Sequence, residues 1–190
     1  MFIDGENLVC RYQSMLQKGF VPQPGIYHQP DVYVWHQNVT VPRGHEIIRA
    51  YYYTSIVADD VKVNQAIDDL KEFEVRVDRQ DLAGLYRTHT HKLYPEVFKK
   101  PKKSNKAKVV DIQMTVDILT HVYQDNLDTV CLFSGDGDYK AVIAEVIRRG
   151  KQIYIGALSD GFSPTLKQLA DVVIDLDSMF IDLNKSPARI

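Results

Sequence analysis

Cysteine is nearly missing from this sequence: Cys10 and Cys131 are the only two among 190 residues. They lie far apart, each beside apolar neighbours, so a disulfide framework is excluded as the basis of the fold. Both are expected to be small buried hydrophobes in a reducing, cytoplasmic setting. No apolar run reaches the ~20 residues that a membrane-spanning helix needs, and no basic stretch leads into a signal-like apolar one, so no membrane role is expected. Charge of one sign is lacking too. Lys and Arg number 23 against 25 Asp and Glu, a formal net charge of −2, so a strong nonspecific pull on polyanions is excluded. Neither GxSxG nor GxxxxGK[ST] occurs, which removes the serine-hydrolase elbow and the P-loop.

What is present suits one globular domain over residues 1–190: hydrophobic residues make up 45% and charged residues 25%. "MFID" reads as a short strand and is followed by a helix with Leu8, Tyr12, Met15 and Leu16 on one face. Residues 21–45 are rich in Pro and Gly and read as a long loop, and residues 79–106 as an irregular second one. Between them, "EIIRAYYYTSIV" has the continuous apolar character of a buried parallel strand, "DDVKVNQAIDDLKEF" is helical, and "EVRVD" alternates as a strand. Beyond them come "AKVVDIQMTVDILTHVYQ" as helix, "DTVCLFS" as strand, "YKAVIAEVIRRG" as helix and "KQIYIGAL" as strand. Ser163 and Pro164 then open another helix before the strand "VVIDL". Strands alternating with helices predict an α/β fold, a mainly parallel sheet of about five or six strands covered on both faces.

Against that layout the acids fall in a pattern. Asp4 follows the first strand, and Asp136 and Asp138 follow "VCLF". Sites in open parallel sheets form at the carboxyl ends of strands. If these two strands are neighbours, three acids meet on one edge; taken singly, Asp138 reads as a helix cap. On a helical wheel Asp111 falls within about 40° of Thr115, Ile118 and Val122, flanked by Ile112, Leu119 and Tyr123, inside the apolar stripe. A carboxylate there needs a cation or a lysine such as Lys108. Asp117 lies at the edge of the polar face. Oxygen-only ligands suit Mg²⁺ or Mn²⁺, which would activate water against a phosphodiester. "GDGDYK" has Lys140 where a dinucleotide fingerprint needs glycine, and its aspartates would repel a pyrophosphate.

The segment "KKPKKSNKAK" gathers Lys99, Lys100, Lys102, Lys103, Lys106 and Lys108. Such a cluster is either a solvated loop or a contact for RNA phosphates. Trp35 and Tyr139 could stack on bases; packing is the preferred reading for Tyr139. His89 and His91 share a face in an extended segment, but no third ligand accompanies them, so they read as surface residues.

In that order, "MFIDGENL", "KVVDIQMTVDIL" and "LFSGDGDY", with the tail "GKQIYIGALSDGFSPTLKQLADVVIDL", resemble the NYN domains of the PIN-like nuclease superfamily, including LabA-like proteins. The resemblance implies a three-layer α/β/α fold and metal-dependent ribonuclease chemistry on RNA. It places the family's acids on Asp4, Asp111, Asp136 and Asp138, adds Asn7 and a second helix acid at Asp117, and leaves Ser134 to shape the loop. It also implies a homo-oligomer, for which the sequence offers no assignable surface. Two other readings stay open: a non-catalytic PIN-like module that binds RNA or protein, and a metal-dependent phosphatase acting on a small molecule.

Overall fold

The computed structural model describes residues 1–41, 46–80, 86–100 and 108–187. Among these the chain runs β1 (Phe2–Asp4), α1 (Gly5–Gln17), β2 (Ile26–Gln29), β3 (Tyr33–His36), β4 (Ala50–Ile56), α2 (Asp60–Lys71), β5 (Glu74–Gln80) and β6 (Tyr86–Lys99). It continues through α3 (Lys108–Tyr123), β7 (Thr129–Phe133), α4 (Lys140–Arg148), β8 (Gln152–Ala157), α5 (Pro164–Leu169), β9 (Val172–Asp175) and α6 (Asp177–Phe180). Seven strands form one sheet in the order β5-β6-β4-β1-β7-β8-β9, a little more than the five or six expected. All neighbours are parallel except β5 and β6.

Helices cover both faces, as the β/α alternation requires. Leu8 and Tyr12 of α1 and Leu70 of α2 pack on one face with Ile3, Tyr52 and Val75. Met114 and Ile118 of α3, Val142 of α4 and Leu166 of α5 pack on the other with Phe2, Tyr53 and Leu132. The three-residue β1 lies at the middle of the sheet. Its residues alternate between the two cores, so Asp4 emerges on the α3 side at the carboxyl edge. Gly5 follows immediately, and a Cβ there would lie 2.3 Å from the Tyr52 ring. Only glycine lets α1 start this close to β4.

Both expected loops contain strands. Within residues 21–45, β2 and β3 pair as a hairpin, because Val34 and Trp35 have a core to enter. Trp35 is fully buried and its indole N–H donates to the Glu74 carbonyl at 2.9 Å, so it is not available to stack on bases. Within residues 79–106, β6 runs for 14 residues. It pairs with β5 up to Lys92 and with β4 from Leu93 onward. Pro95 falls in the half that β5 has left, where a missing N–H costs no ladder bond. His89 and His91 lie in the half paired with β5.

Two further expectations are corrected. Cys10 is exposed on α1 rather than buried, and Cys131 is half-buried, with burial pushing its thiol up to about 11. On α3 the inward row is Val110, Met114, Ile118 and Val122, with Ile112 and Tyr123 facing solvent. Because α3 is apolar on two sides, the wheel alone could not centre its buried stripe. Asp111 flanks that row, half-buried.

Candidate active site

β1 sits where the connections reverse. The chain leaves it toward β4 on one side and returns through α3 to β7 on the other. The carboxyl ends of β1 and β7 are therefore a topological switch point, where ligands of open α/β sheets bind. Their register, Phe2 with Leu132 and Ile3 with Phe133, brings Asp4 beside the segment Ser134–Asp138.

Backbone geometry fixes these side chains. Asp4 caps α1, one carboxylate oxygen accepting the Asn7 N–H at 3.0 Å and the other the Ser134 hydroxyl at 2.9 Å. The Ser134 oxygen in turn accepts the Asp136 N–H at 3.2 Å, and the Asn7 side-chain carbonyl accepts the Gly135 N–H at 3.1 Å. Asn7 and Ser134 thus tie the loop after β7 to the start of α1. Asp136 then caps a single 3₁₀ turn, Gly137–Tyr139, accepting the Asp138 N–H at 3.0 Å. The capping role expected of Asp138 belongs to Asp136, and Asp138 is left exposed. Gly135 passes so close to Gly161 and Phe162 that a Cβ would sit 3.3 Å from the Phe162 Cα, so the loop is held from behind as well. Tyr139 is buried, as preferred from the sequence, and its hydroxyl donates to Asp111 at 3.2 Å.

The electrostatics are those of crowded acids. Asp4 is fully buried and its carboxyl is pushed up to about 7, first by burial and then by Asp111 and Glu6; the Asn7 and Ser134 bonds oppose the rise. The carboxyl of Asp111 is also raised, by burial first and then by Asp136, Glu6 and Asp138, with the Tyr139 bond opposing. Burial holds Tyr139 well above the ordinary phenol range, so its hydroxyl stays a donor. Glu6 therefore belongs to this group, although the sequence reading passed over it. Its signal was available: an acid two residues after Asp4, in the first turn of the same helix. Glu6 accepts a hydrogen bond from Ser55, and Lys100 Nζ lies 3.6 Å away.

Asp117 stands apart. It accepts the Tyr53 hydroxyl at 2.8 Å and the Gln113 amide at 3.0 Å. Its charge helps to raise Glu96, after burial. Tyr53 is the register partner of both Asp4 and Glu96, so this second group lies on the same face as the first, displaced toward β6. Of the basic cluster, Lys99 pairs with Asp60 at 2.6 Å and Lys100 with Glu6. Lys102, Lys103 and Lys106 lie outside the described residues, as does the side chain of Lys108.

The donors on this rim are hard carboxylate oxygens, the chemistry that Mg²⁺ and Mn²⁺ take. Among the described residues no three His, Cys, Asp or Glu side chains stand close enough together to hold an ion as placed. The donor set is of the kind a divalent cation takes, with Asp4 fixed by two hydrogen bonds and Asp111, Asp136 and Asp138 more accessible.

The model of the NYN domain matches residues 1–177. The uncharacterized protein MJ0482 of Methanocaldococcus jannaschii is 34% identical over 71 residues, 37% of this chain and 30% of that protein's length. A crystal structure of a protein of unknown function, VPA0982 of Vibrio parahaemolyticus, aligns with 72% of this chain and 73% of its own at 24% identity and a TM-score of 0.47. Among the described residues no helix is long and apolar enough to cross a membrane.

Proposed function

The chain belongs to the NYN domain family of the PIN-like nuclease superfamily, and on that premise we propose that it is a divalent-metal-dependent ribonuclease. The observation that carries the reading is the gathering of Asp4, Glu6, Asp111, Asp136 and Asp138 at the switch point, where burial first and then neighbouring acids raise Asp4 and Asp111.

In this reading Asp4, Asp111, Asp136 and Asp138 hold Mg²⁺ or Mn²⁺. The bound ion supplies activation of the attacking water and neutralises charge on the phosphodiester. The chain's own groups do the positioning. Ser134 and the Asn7 N–H fix both oxygens of Asp4, and the Asn7 side chain holds the loop that carries Asp136 and Asp138. Tyr139 aims Asp111. Lys100 and Lys99, with Lys102, Lys103, Lys106 and Lys108, contact the RNA backbone electrostatically, which makes affinity salt-dependent. Asp117 acts one step removed, through Tyr53.

A non-catalytic RNA-binding module is the second reading. One observation favours it: no three acids stand converged among the described residues. The discriminating experiment is cleavage of end-labelled single-stranded RNA by wild type and Asp136→Asn in Mn²⁺, Mg²⁺ and EDTA. Metal-dependent products that disappear in the variant support the nuclease. RNA binding without cleavage in either metal supports the module.

A further inference from the structure

A cleft opens beside the acids rather than over them. It has a volume of about 940 Å³ and shares Glu6, Ser55 and Lys100 with the acidic rim. That is near the upper end of the ~300–1,000 Å³ of ligand clefts, room for a short run of nucleotides. One wall is α1, through Cys10, Gln13 and Gln17. The floor is the carboxyl end of β4, from Thr54 to Val57, and Lys62 of α2 stands at the mouth. The tip of the β2–β3 hairpin, Gln29 to Val32, also lines it, next to α1.

That hairpin is fastened in place. The Gln13 amide donates to Asp31 Oδ1 at 3.2 Å while the Asp31 N–H donates back to Gln13 Oε1 at 3.3 Å. Asp31 sits at the turn with φ of 58°, and Thr54 in the floor donates to the Val32 carbonyl at 3.0 Å. A segment that read as a loop is thus a wall built against the sheet, at the edge of the acidic site.

Resting on the ribonuclease reading, we infer that this cleft is a subsite for single-stranded RNA, holding the nucleotides that flank the scissile phosphate. Its lining suits that ligand. Side-chain amides offer donors and acceptors to unpaired base edges, and Val9, Val32 and Ile56 give the base faces apolar surface. Lys62 and Lys100, both near the carboxyl end of β4, offer phosphate contacts. Among the described residues no aromatic ring lines the cleft, so bases are held edge-on rather than by stacking. Lys100 is the link between the sites: it leaves Glu6 for a phosphate as the strand enters.

Cys10 is an exposed thiol in the wall and reports occupancy directly. The test is the rate of its maleimide modification in the full chain, followed by peptide mass spectrometry, with oligouridylate in EDTA so that nothing is cleaved. Protection of about tenfold is expected. It should be lost at the same RNA concentration in Gln17→Glu/Gln29→Glu, whose added charges repel phosphates, and kept in the remote variant Gln124→Glu. RNA that is cleaved in Mn²⁺ without protecting Cys10 overturns the subsite and leaves the nuclease standing. Protection without cleavage in either metal keeps the subsite and overturns the nuclease. Equal protection by duplex RNA or by an acidic peptide overturns the assignment to a single strand.

Discussion

Two groups of carboxylates in this molecule behave in opposite ways. Around the periphery, Asp60, Asp125, Asp160 and Asp182 each face a lysine and each carboxyl lies below its ordinary range. At the carboxyl edge of β1 and β7, Asp4 and Asp111 are surrounded by other acids and their carboxyls lie above it. The chain has 23 Lys and Arg, so cations are not scarce. Among the described residues only Lys100 is recorded against the central acids, and it pairs with Glu6 at their margin. Each peripheral acid has a lysine counter-ion of its own, whereas among the described residues Asp4, Asp111, Asp136 and Asp138 have none recorded. Perturbed titration at a concave edge is what functional sites share, and here the contrast within one chain gives it a control.

The largest effect that could break this contrast is on cleavage. Asp136→Asn or Asp4→Asn should reduce metal-dependent RNA cleavage by about a hundredfold or more, whereas Lys18→Met, which breaks the Asp160 pair, should leave the rate unchanged in the same assay. Stability sharpens the contrast next. Because the Asp4 carboxyl rises from 3.8 to about 7 on folding, its contribution to metal-free stability is fully present below pH ~4 and is lost as pH rises through about 7. Asp4→Asn should therefore stabilise the metal-free protein by about 1–3 kcal/mol at pH 8 and by little at pH 4, read from urea unfolding in EDTA. The peripheral acids have the reverse sign: Asp160 stabilises above the unfolded carboxylate range and loses that contribution as pH falls through its lowered value. Smaller again is Asn7→Ala, which frees the Gly135 N–H. It should cost about 1 kcal/mol of stability and lower cleavage about tenfold, with KM little changed. The smallest effect is Tyr139→Phe. The ring keeps its packing and only the bond to Asp111 is lost, so the rate should fall about threefold, with the pH dependence of cleavage shifted upward because the bond that opposes the rise is gone.

The fold was legible wherever periodicity met a single burial pattern. β4 reads as a buried strand because Tyr52, Tyr53, Thr54 and Ser55 are all enclosed, and α1 reads from Leu8, Tyr12 and Met15. It failed where one element faces two environments. α3 is apolar outward as well as inward, which hid the position of its stripe, and β6 changes partner at Leu93, which made an ordered strand look irregular. The β2–β3 hairpin was hidden by its prolines and glycines, since what orders it is tertiary: Trp35 in the core and Gln13 at its tip.

The acids at strand ends were legible because strand adjacency alone brings Asp4 to Asp136. Glu6 and the Tyr53–Asp117–Glu96 group were not. Their association depends on which side chains meet across β1, β4 and β6, and no spacing in the sequence encodes that register. Asn7 was picked out by resemblance, but its work of holding the Gly135 N–H is visible only in three dimensions.

The central claim is that the rim acids are completed by a divalent cation, and calorimetric titration of Mn²⁺ into metal-free protein at pH 7 tests it most directly. Saturable binding is expected, lost in Asp4→Asn, with release of protons at pH 7 because the raised carboxyls of Asp4 and Asp111 must ionise to hold the ion. That release should vanish by pH 8.5. Absence of saturable binding, or binding that Asp4→Asn leaves intact, would contradict the account.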